Sequence, residues 1–238
     1  VPAVVAAGDE GGPLDTAFVV MERIEGETIP RKILRDDPFA DARRVLAGQC
    51  GEVLARLHRL APEEVAGLES HEPVAQYRDY LDLLGQPHPA FELGLRWLDA
   101  HRPAAGRRAV VHGDFRNGNL IVGPEGLRAV LDWELVHAGD PLEDLAWLCV
   151  RAWRFGADQP VGGFGTYDQL IEAYERASGT EVDREALRWW EVMGTLRWGV
   201  MCIIQAGAHL SGALRSVELA AIGRRVCENE WDLLELIG

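Results

Sequence analysis

Two short apolar runs near the middle of the chain are each followed closely by an aspartate. No other feature constrains the fold as strongly. The segment AVVHGDFRNGN occupies positions 109–119, and LDWE follows at 131–134. Short β-branched runs bounded by turn residues predict short strands. Because Asp114 and Asp132 stand where these runs end, we expect a polar cluster where the strands give way to loops.

Helical periodicity surrounds these strands on both sides. Apolar residues recur at the spacing of helices that bury one face. Pro141, Asp183 and Ser211 stand where helix N-termini are expected. Helices are predicted over about 40–60, 73–84, 89–101, 141–155, 166–178, 183–206 and 212–236. The sequence therefore predicts an α+β fold that is mostly helical and carries short central β-hairpins.

The first 26 residues differ from the rest of the chain. Two apolar runs, VVAAG and AFVVM, flank residues rich in Gly, Pro and Asp. This arrangement is typical of a β-hairpin. We therefore divide the chain into a β-rich segment at 1–26 and a helical domain at 27–238.

Composition argues against several functions. The formal net charge is −14, whereas binding to nucleic acid calls for a basic surface. The longest apolar segment, 199–210, is interrupted by Gln205 and His209 and is shorter than the roughly 18 residues of a membrane span. Neither nucleic acid nor membrane is an expected partner. The cysteines lack C-x-x-C spacing, which predicts buried free thiols in a cytoplasmic protein. They are Cys50, Cys149, Cys202 and Cys227.

The polar cluster has the composition that phosphoryl transfer needs. Asp114 and Asn119 lie in one loop, and Asp132 ends the next hairpin strand. One carboxylate can accept the proton of a hydroxyl, while the other carboxylate and the amide oxygen can hold Mg²⁺. A hard cation prefers such oxygen ligands, and the lack of a His/Cys cluster argues against zinc.

HGDFRNGN and LDWE resemble the motif pair of the aminoglycoside phosphotransferase/choline kinase family, distant relatives of protein kinases. His112, Asp114 and Asn119 match H-x-D-x4-N, and Asp132 matches the metal-binding aspartate of D-F-G. The similarity extends over essentially the whole chain, through FVVMERIEG at 18–26, LARLHRL at 54–60 and GDPLEDLAWL at 139–148. The resemblance is closest to bacterial phosphotransferases of undefined substrate. It implies the large, C-terminal lobe of a protein-kinase-like fold.

The resemblance implies a role for each residue of the cluster. Asp114 would be the catalytic base, and Asn119 and Asp132 would bind Mg²⁺. Arg116 lies two residues after the base, where protein kinases have a lysine, and would contact the γ-phosphate of ATP.

The resemblance also assigns the N-terminal segment. Residues 1–26 would be the last strands of the small lobe and the hinge that receives adenine, and 27–238 would be the large lobe. Backbone groups of Glu22 and Ile24 would hydrogen-bond adenine, and Met21 would close the back of its pocket.

Other conspicuous residues have a structural and a functional interpretation. His112 is predicted to brace its loop, His58 to pack in a helix interface, and Asp140 and Asp144 to hold backbone groups. GGFGT at 162–166 lacks the spacing of a phosphate loop and is predicted to be a turn. Aromatic residues at helical spacing favour the core over a substrate pocket, and this choice is open for Trp153, Trp189, Trp190 and Trp198, as it is for Glu134.

The sequence lacks the parts that kinases use to hold nucleotide phosphates. It contains no Gly-rich loop and no P-loop motif. Its single lysine, Lys32, comes after the hinge, whereas the phosphate-binding lysine precedes it. We therefore expect little turnover from this chain alone. The chain begins without methionine, which favours a fragment of a longer kinase over natural loss of the small lobe.

Several hypotheses about function remain open at this stage. The leading one is an ATP-dependent kinase that phosphorylates the hydroxyl of a small molecule, with aminoglycosides, choline-like amines, sugars, homoserine and hydroxyacyl thioesters as candidate acceptors. The alternatives are a non-catalytic binding module with the same fold and a metal-dependent hydrolase. A homodimer is also an open alternative.

Overall fold

The computed structural model describes residues 1–9, 11–12 and 15–238. The strands are β1 Val4–Gly8, β2 Phe18–Met21, β3 Ala109–Val111, β4 Leu120–Gly123, β5 Gly126–Val130 and β6 His137–Gly139. The helices are α1 Pro30–Arg35, α2 Ala40–Leu57, α3 Pro73–Leu84, α4 Pro89–Ala100, α5 Leu142–Cys149, α6 Tyr167–Ser178, α7 Arg184–Leu210, α8 Val217–Ile222 and α9 Val226–Ile237. The α+β, mostly helical class predicted from the sequence is confirmed.

The strands pair into antiparallel two-stranded sheets. β1 pairs with β2, β4 forms a hairpin with β5, and β3 pairs with β6. The first two pairings were predicted, although the predicted Gly/Pro/Asp turn between β1 and β2 lies partly outside the described residues. The β3–β6 pairing was not predicted, because His137–Gly139 carries no strand-like pattern. This pairing brings the segment before α5 back beside the start of the Asp114 loop, residues 112–119.

Two large hydrophobic cores and a smaller cluster around Trp147 and Trp153 hold the described helices together. The first lies among α2, α5, α6 and the β4–β5 hairpin. The second lies among α3, α4, α7 and α9. Each fully buried aliphatic side chain contributes about 1.5–3 kcal/mol. α7 contributes to both cores, with Leu187 in the first and Val192 in the second. The long α7 therefore connects the two halves of the helical domain.

The C-terminal segment differs from the prediction of one helix over 212–236. Gly212 adopts a left-handed φ of 81° just after α7 ends. The side chain of Ser216, and not that of Ser211, caps the next helix by accepting the Leu219 N–H. A 3-10 turn at Gly223–Arg225 then separates α8 from α9. The prediction was wrong because apolar periodicity continues across both breaks.

The helix predicted at 141–155 is also shorter than expected. α5 ends at Cys149, because Val150 takes an extended ψ of 133°. A 3-10 turn follows at Arg151–Arg154. This break turns Trp153 back toward α5, where its ring packs 5.2 Å from that of Trp147.

The segment after β2 docks onto the β4–β5 hairpin. Glu27 and Val122 exchange two backbone hydrogen bonds of 2.9 and 3.0 Å. Arg128 Nη1 donates to the carbonyl oxygen of Glu25 at 2.7 Å. The approach requires a glycine, because a Cβ on Gly26 would lie 2.9 Å from the Val122 carbonyl oxygen. These contacts join the N-terminal segment to the strand that follows the Asp114 loop.

The helices and the cysteines bear on two predictions made from composition. Among the described residues, no helix combines the length and apolarity that a membrane span requires. Cys50, Cys149 and Cys202 are buried free thiols as predicted, whereas the Cys227 thiol is exposed.

Candidate active site

The Asp114 carboxylate receives hydrogen bonds from three side chains. Trp147 Nε1 donates to Oδ1 at 2.7 Å, and Asn119 Nδ2 donates to Oδ2 at 2.7 Å. Arg116 Nε lies 3.1 and 3.2 Å from the two oxygens. The Asp114 side chain is 15% exposed. The sequence predicted Arg116 and Asn119 near Asp114, and the structure brings both of them against its carboxylate.

A buried aspartate from α5 holds the start of the Asp114 loop. Asp144 accepts the backbone N–H groups of His112 at 2.8 Å and Gly113 at 2.9 Å. Its Oδ2 also lies 3.1 Å from His58 Nε2, and the other ring nitrogen of His58 lies 3.1 Å from the Tyr174 hydroxyl. The role predicted for Asp144, holding backbone groups, is confirmed. His58 has a more specific role than helix packing, because it connects α2 to this anchor.

The pKa of Asp144 reflects these contacts. Complete burial opposes ionisation, but the hydrogen bond with His58 and the backbone N–H of His112 outweigh it and lower the pKa. Asp144 is therefore ionised at neutral pH. A buried carboxylate with several donors is the arrangement that keeps a charge tolerable in the interior.

His112 holds the Asp114 loop in place through its buried ring, as predicted. Its ring is fully buried, and its Nδ1 accepts the backbone N–H of Asp114 at 3.1 Å. Nε2 must then carry the proton, which it donates to the carbonyl oxygen of Leu131 at 3.0 Å. Trp133 packs against the same ring at 4.5 Å. One imidazole thus links the backbone of Asp114 to the segment that carries Asp132.

Asn119 and Asp132 are brought together by a backbone hydrogen bond. The Leu131 N–H donates to the Asn119 carbonyl oxygen at 2.9 Å, which extends the β4–β5 pairing by one step. The next residue, Asp132, has a φ of 67° and is exposed. A left-handed φ at an aspartate costs free energy and often marks a functional position. Asp132 therefore follows directly on the residue that pairs with Asn119.

The donor set here fits a magnesium ion. Asn119 uses its amide nitrogen for Asp114, which leaves the amide oxygen for a cation, and Asp132 adds an exposed carboxylate. Among the described residues, no cluster of three or more His, Cys, Asp or Glu side chains could hold a metal ion. Mg²⁺ commonly takes only one or two protein carboxylates and completes its shell with phosphates and water.

Arg116 lies over an aromatic ring. Its guanidinium carbon is 4.7 Å from the ring centroid of Trp153, a cation–π distance. Trp153 is buried between Trp147 and Trp198. The side chain of Arg116 is 25% exposed, so it is more accessible than its aromatic support.

The predicted adenine-contacting residues lie at the end of the β1–β2 ribbon. Met21 is the last residue of β2, and its side chain is exposed. The Glu22 N–H donates to the Ala3 carbonyl oxygen at 2.8 Å. Within the described part of the chain, neither the Glu22 carbonyl nor the Ile24 amide takes part in a backbone hydrogen bond. These two groups are therefore free of the backbone pairing that surrounds them.

A cavity of about 960 Å³ reaches the contacts of the Asp114 loop through Trp147 and Arg197, although no residue of the loop itself lines it. Trp147, the donor to Asp114, forms part of its wall, together with Glu134, Tyr77, Trp190 and Arg197. Glu134 and Trp190 thus line the cavity, and Trp190 also packs against both hydrophobic cores. Trp189 belongs to the second core instead, where its Nε1 donates to the Leu98 carbonyl oxygen at 2.9 Å.

An ion-pair network forms one side of the cavity. Glu143 accepts from Arg197 Nη1 at 2.9 Å, and its other oxygen lies 3.0 Å from His137 Nε2. Arg197 Nη2 donates to the Gly113 carbonyl oxygen at 2.8 Å. Burial opposes protonation of His137, but the hydrogen bond and charge of Glu143 outweigh it and raise the pKa. The network ties α5 and α7 to the Asp114 loop.

The segment GGFGT at 162–166 forms a turn before α6, as predicted. Thr166 caps that helix by accepting the Gln169 N–H. The turn also anchors the Asp114 loop, because the fully buried Asn117 donates through Nδ2 to the Gly162 carbonyl oxygen at 2.7 Å.

Sequence reasoning missed Trp147 and Arg197. Trp147 follows Asp144 by three residues, so the two share a helix face, and both side chains contact the Asp114 loop. Arg197 is a lone cation within an apolar stretch of α7, and a charge in such a place commonly has a buried partner. Both signals were present in the sequence.

The fold and the two loops define a class of protein. A helical lobe carries an H-x-D-x4-N loop and a nearby aspartate, and a short β-ribbon is attached through a hinge-like segment. This is the large lobe of a protein-kinase-like fold. The chain belongs to the phosphotransferase enzyme family, whose model matches residues 1–190.

Solved structures agree with this assignment at the level of fold. A proposed aminoglycoside phosphotransferase from Ralstonia eutropha JMP134 is 20% identical, with a TM-score of 0.81 over 100% of this chain and 78% of that one. The GDP complex of aminoglycoside 2'-phosphotransferase-IIIa is 14% identical, with a TM-score of 0.66 over 97% of this chain and 75% of that one.

Curated relatives are much longer than this chain. Acyl-CoA dehydrogenase family member 10 of Mus musculus is 31% identical over 184 residues, which is 71% of this chain and 17% of that protein. The chain spans between 17% and 29% of the length of the first curated relatives that it matches.

Proposed function

We propose that this chain carries the base and the metal ligands of an ATP-dependent kinase that phosphorylates a hydroxyl group of a small molecule. The observation that carries the proposal is the joint placement of Asp114, Asn119 and Asp132. Asp114 lies within hydrogen-bonding distance of Asn119, and Asn119 is backbone-paired to the residue before Asp132. Phosphoryl transfer requires this combination of one proton acceptor and oxygen ligands for a cation.

In this proposal the substrate hydroxyl gives its proton to Asp114 as its oxygen attacks the γ-phosphorus. Asn119 and Asp132 hold Mg²⁺ through oxygen atoms, and the ion supplies charge neutralisation at the phosphates when bound. Arg116 supplies a guanidinium to the γ-phosphate. Its partial exposure and its flexible stem allow it to leave Asp114 for that role.

The N-terminal segment receives the nucleotide. We assign residues 1–26 to the small-lobe strands and hinge, and 27–238 to the large lobe. The Glu22 carbonyl and the Ile24 amide, which make no backbone hydrogen bond to the described residues, suit the hydrogen-bonding edge of a purine base, and Met21 provides an apolar contact. Because one structural neighbour is a GDP complex, GTP is tested beside ATP.

The cavity beside Trp147 is the proposed acceptor site. Its volume of about 960 Å³ is at the upper end of the range for small-molecule sites. Its wall combines aromatic and apolar groups with charged ones, as in Trp190, Glu134 and Arg197. The acceptor we expect is a hydroxyl compound with an apolar body. Since several curated relatives carry acyl-CoA in their names, hydroxyacyl thioesters belong in the panel with aminoglycosides, choline-like amines, sugars and homoserine.

The test is nucleotide consumption with this acceptor panel and Mg²⁺, for the 238-residue chain and for the full reading frame that contains it. Asp114→Asn should lower turnover of the full protein by about 10²–10⁴-fold, the usual contribution of a general base. The melting temperature should stay within a few degrees of the wild-type value. Unchanged turnover in a folded Asp114→Asn protein would contradict the base assignment.

The isolated chain should turn over far more slowly than the full protein. Its single lysine, Lys32, forms an ion pair with Glu27 at 3.1 Å and follows the proposed hinge, whereas the phosphate-binding lysine of kinases precedes it. Restored turnover in the longer chain is the expected result. Equal and robust turnover by the 238-residue chain would contradict the need for a separate phosphate-binding lysine.

A second candidate function is a binding module that has the kinase fold without catalysis. Calorimetry on the full protein separates the two, because a kinase should bind nucleotide in a Mg²⁺-dependent manner. Asp132→Asn should weaken that dependence, and Asp168→Asn, at an exposed carboxylate on α6, should not. Absence of nucleotide binding would favour the module.

A further inference from the structure

We propose that Trp147 is a positioning residue whose indole N–H holds one oxygen of Asp114, so that the other oxygen receives the substrate proton. The proposal rests on the proposed role of Asp114 as base. It adds a residue that touches neither the nucleotide nor the metal.

The carboxylate is fully occupied in this structure. Oδ1 accepts from Trp147 Nε1 at 2.7 Å, and Oδ2 accepts from Asn119 Nδ2 at 2.7 Å. Arg116 Nε donates a bifurcated hydrogen bond to both oxygens, at 3.1 and 3.2 Å. A carboxylate oxygen accommodates about two hydrogen bonds. For Asp114 to accept a proton from a hydroxyl, at least one of these donors must give up its place.

The three donors differ in how firmly they are held. Arg116 is 25% exposed on a long, flexible side chain, so it is the donor that can turn toward a phosphate. Asn119 makes a second hydrogen bond, from the same amide nitrogen to the Asp114 carbonyl oxygen at 3.0 Å, so it can relax from Oδ2 without losing all its partners. Trp147 is only 3% exposed and lies on a helix. Trp147 is the donor that stays.

The indole ring is fixed from the side of the cavity. The guanidinium carbon of Arg197 lies 4.5 Å from the Trp147 ring centroid. Arg197 is itself fixed by Glu143 and by the carbonyl oxygen of Gly113. Gly113 directly precedes Asp114, and Arg197 contacts both the Gly113 carbonyl oxygen and the Trp147 ring. Arg197 therefore fixes the position of the indole relative to the Asp114 loop. A cation held against the ring face also stabilises the ring by a cation–π interaction.

The consequence is an assignment of the two oxygens. With Trp147 on Oδ1, Arg116 drawn to the phosphates and Asn119 relaxed onto the Asp114 carbonyl oxygen, Oδ2 is the oxygen left without a donor, and it can accept the proton. The hydroxyl proton moves to Asp114 Oδ2, and the lone pair of the hydroxyl oxygen forms the bond to the γ-phosphorus. The bond from that phosphorus to the bridging oxygen breaks, and its electron pair leaves with the nucleoside diphosphate. Protons, atoms and electrons balance without a further reactant.

The first measurement detects the hydrogen bond in the chain as it exists. Tryptophan labelled with ¹⁵N at the indole nitrogen gives one resonance for each of the eight tryptophans. The Trp147 resonance, identified by its loss in Trp147→Phe, should move upfield in Asp114→Asn because a neutral acceptor replaces a charged one. The Trp198 indole, whose buried Nε1 has no partner among the described residues, is the internal control and should not move. A Trp147 resonance that does not respond would overturn the proposal.

The second measurement tests positioning in the full protein. Trp147→Phe and replacement of Trp147 by 3-benzothienylalanine both remove the N–H, and the second keeps the size and shape of the indole. Both should lower kcat by about 10- to 100-fold, as expected from loss of a hydrogen bond to a charged group, with the nucleotide KM unchanged. Trp198→Phe removes an N–H without a partner from the same aromatic cluster and should keep the wild-type kcat.

Each outcome separates this proposal from the base assignment. Wild-type kcat in the benzothienyl variant would overturn it, even if Trp147→Phe were less active, because ring packing alone would then explain the loss. A proportional rise in KM with unchanged kcat would also overturn it. If Asp114→Asn kept full turnover, the base assignment itself would fail, and that result does not depend on Trp147.

Discussion

The Asp114 loop and the β1–β2 ribbon are attached to the rest of the protein in opposite ways. In the loop, His112 is fully buried, and Asp144 beneath it is also fully buried. In the ribbon, the consecutive residues Val4 and Val5 are 61% and 71% exposed. Since successive strand residues point to opposite faces, both faces of the ribbon meet solvent. The Asp114 loop is held by buried hydrogen bonds, whereas the β1–β2 ribbon is held by a few contacts at the surface.

This difference matters for the proposed reaction, because the base and the metal ligands lie on the buried loop and the proposed adenine contacts lie at the end of the exposed ribbon. A general base and its metal ligands must be fixed to a fraction of an ångström, and buried hydrogen bonds provide that. A two-stranded ribbon without a covered face has little stability of its own, and its position relies on the docking of Glu27 on Val122. We therefore expect changes to the loop support to affect global stability, and changes to the ribbon to act locally.

The largest effect is expected from Asp144→Ala. This change removes the acceptor of two buried backbone N–H groups and the partner of His58. Breaking a buried pair of this kind costs about 3–5 kcal/mol. Urea unfolding should report a loss of that size, whereas Asp168→Ala, at the exposed pair with Arg184, should cause no resolvable change. A small effect of Asp144→Ala would break the contrast between the two regions.

The same anchor should dominate the acid side of the pH profile. The pKa of Asp144 is lowered in the folded protein, so its contribution is fully present above the unfolded pKa of about 3.9. It is lost as the pH falls through the folded pKa. The stabilities of wild type and Asp144→Asn should therefore differ most near neutral pH and converge below about pH 4. Parallel curves would show that the charge of Asp144 is not what stabilises the loop.

Gly26→Ala should release the ribbon without unfolding the helical domain. The new Cβ would lie 2.5 Å from Ile121 Cγ2 and 2.9 Å from the Val122 carbonyl oxygen. Hydrogen exchange should accelerate at the amides of Glu27 and Val122, while α7 amides stay protected. Gly207→Ala is the matched control, because nothing lies within 4 Å of its added Cβ. Equal exchange in both variants would show that close docking at Gly26 is not required.

The smallest effect is expected from Arg128→Ala. This side chain donates to the Glu25 carbonyl oxygen and pairs with Glu125 at the surface. Surface pairs of this type contribute little to global stability. The urea midpoint should not change, and exchange should rise only around residues 23–27. A shift of the midpoint would mean that the ribbon and the helical domain unfold together.

Much of the fold was predictable because it follows from local patterns. The helices at 73–84, 89–101 and 166–178 appear within a residue or two of their predicted bounds. The short central strands appear as well. The errors lie where apolar periodicity runs across a turn, at Gly212 and Val150. Periodicity reports which face is buried, but a break in the backbone leaves that pattern intact.

By itself, the sequence determined the family resemblance, the α+β class and the nearness of Asp114, Asn119 and Asp132. Spacing within a loop and across one hairpin limits how far such residues can separate, so these inferences need no knowledge of distant contacts. Only the tertiary structure showed which distant side chains hold these three residues in place. Trp147 and Arg197 reach the Asp114 loop from helices far along the chain. Contacts of this kind depend on how α5 and α7 pack, and packing is a property of the whole core rather than of any local stretch.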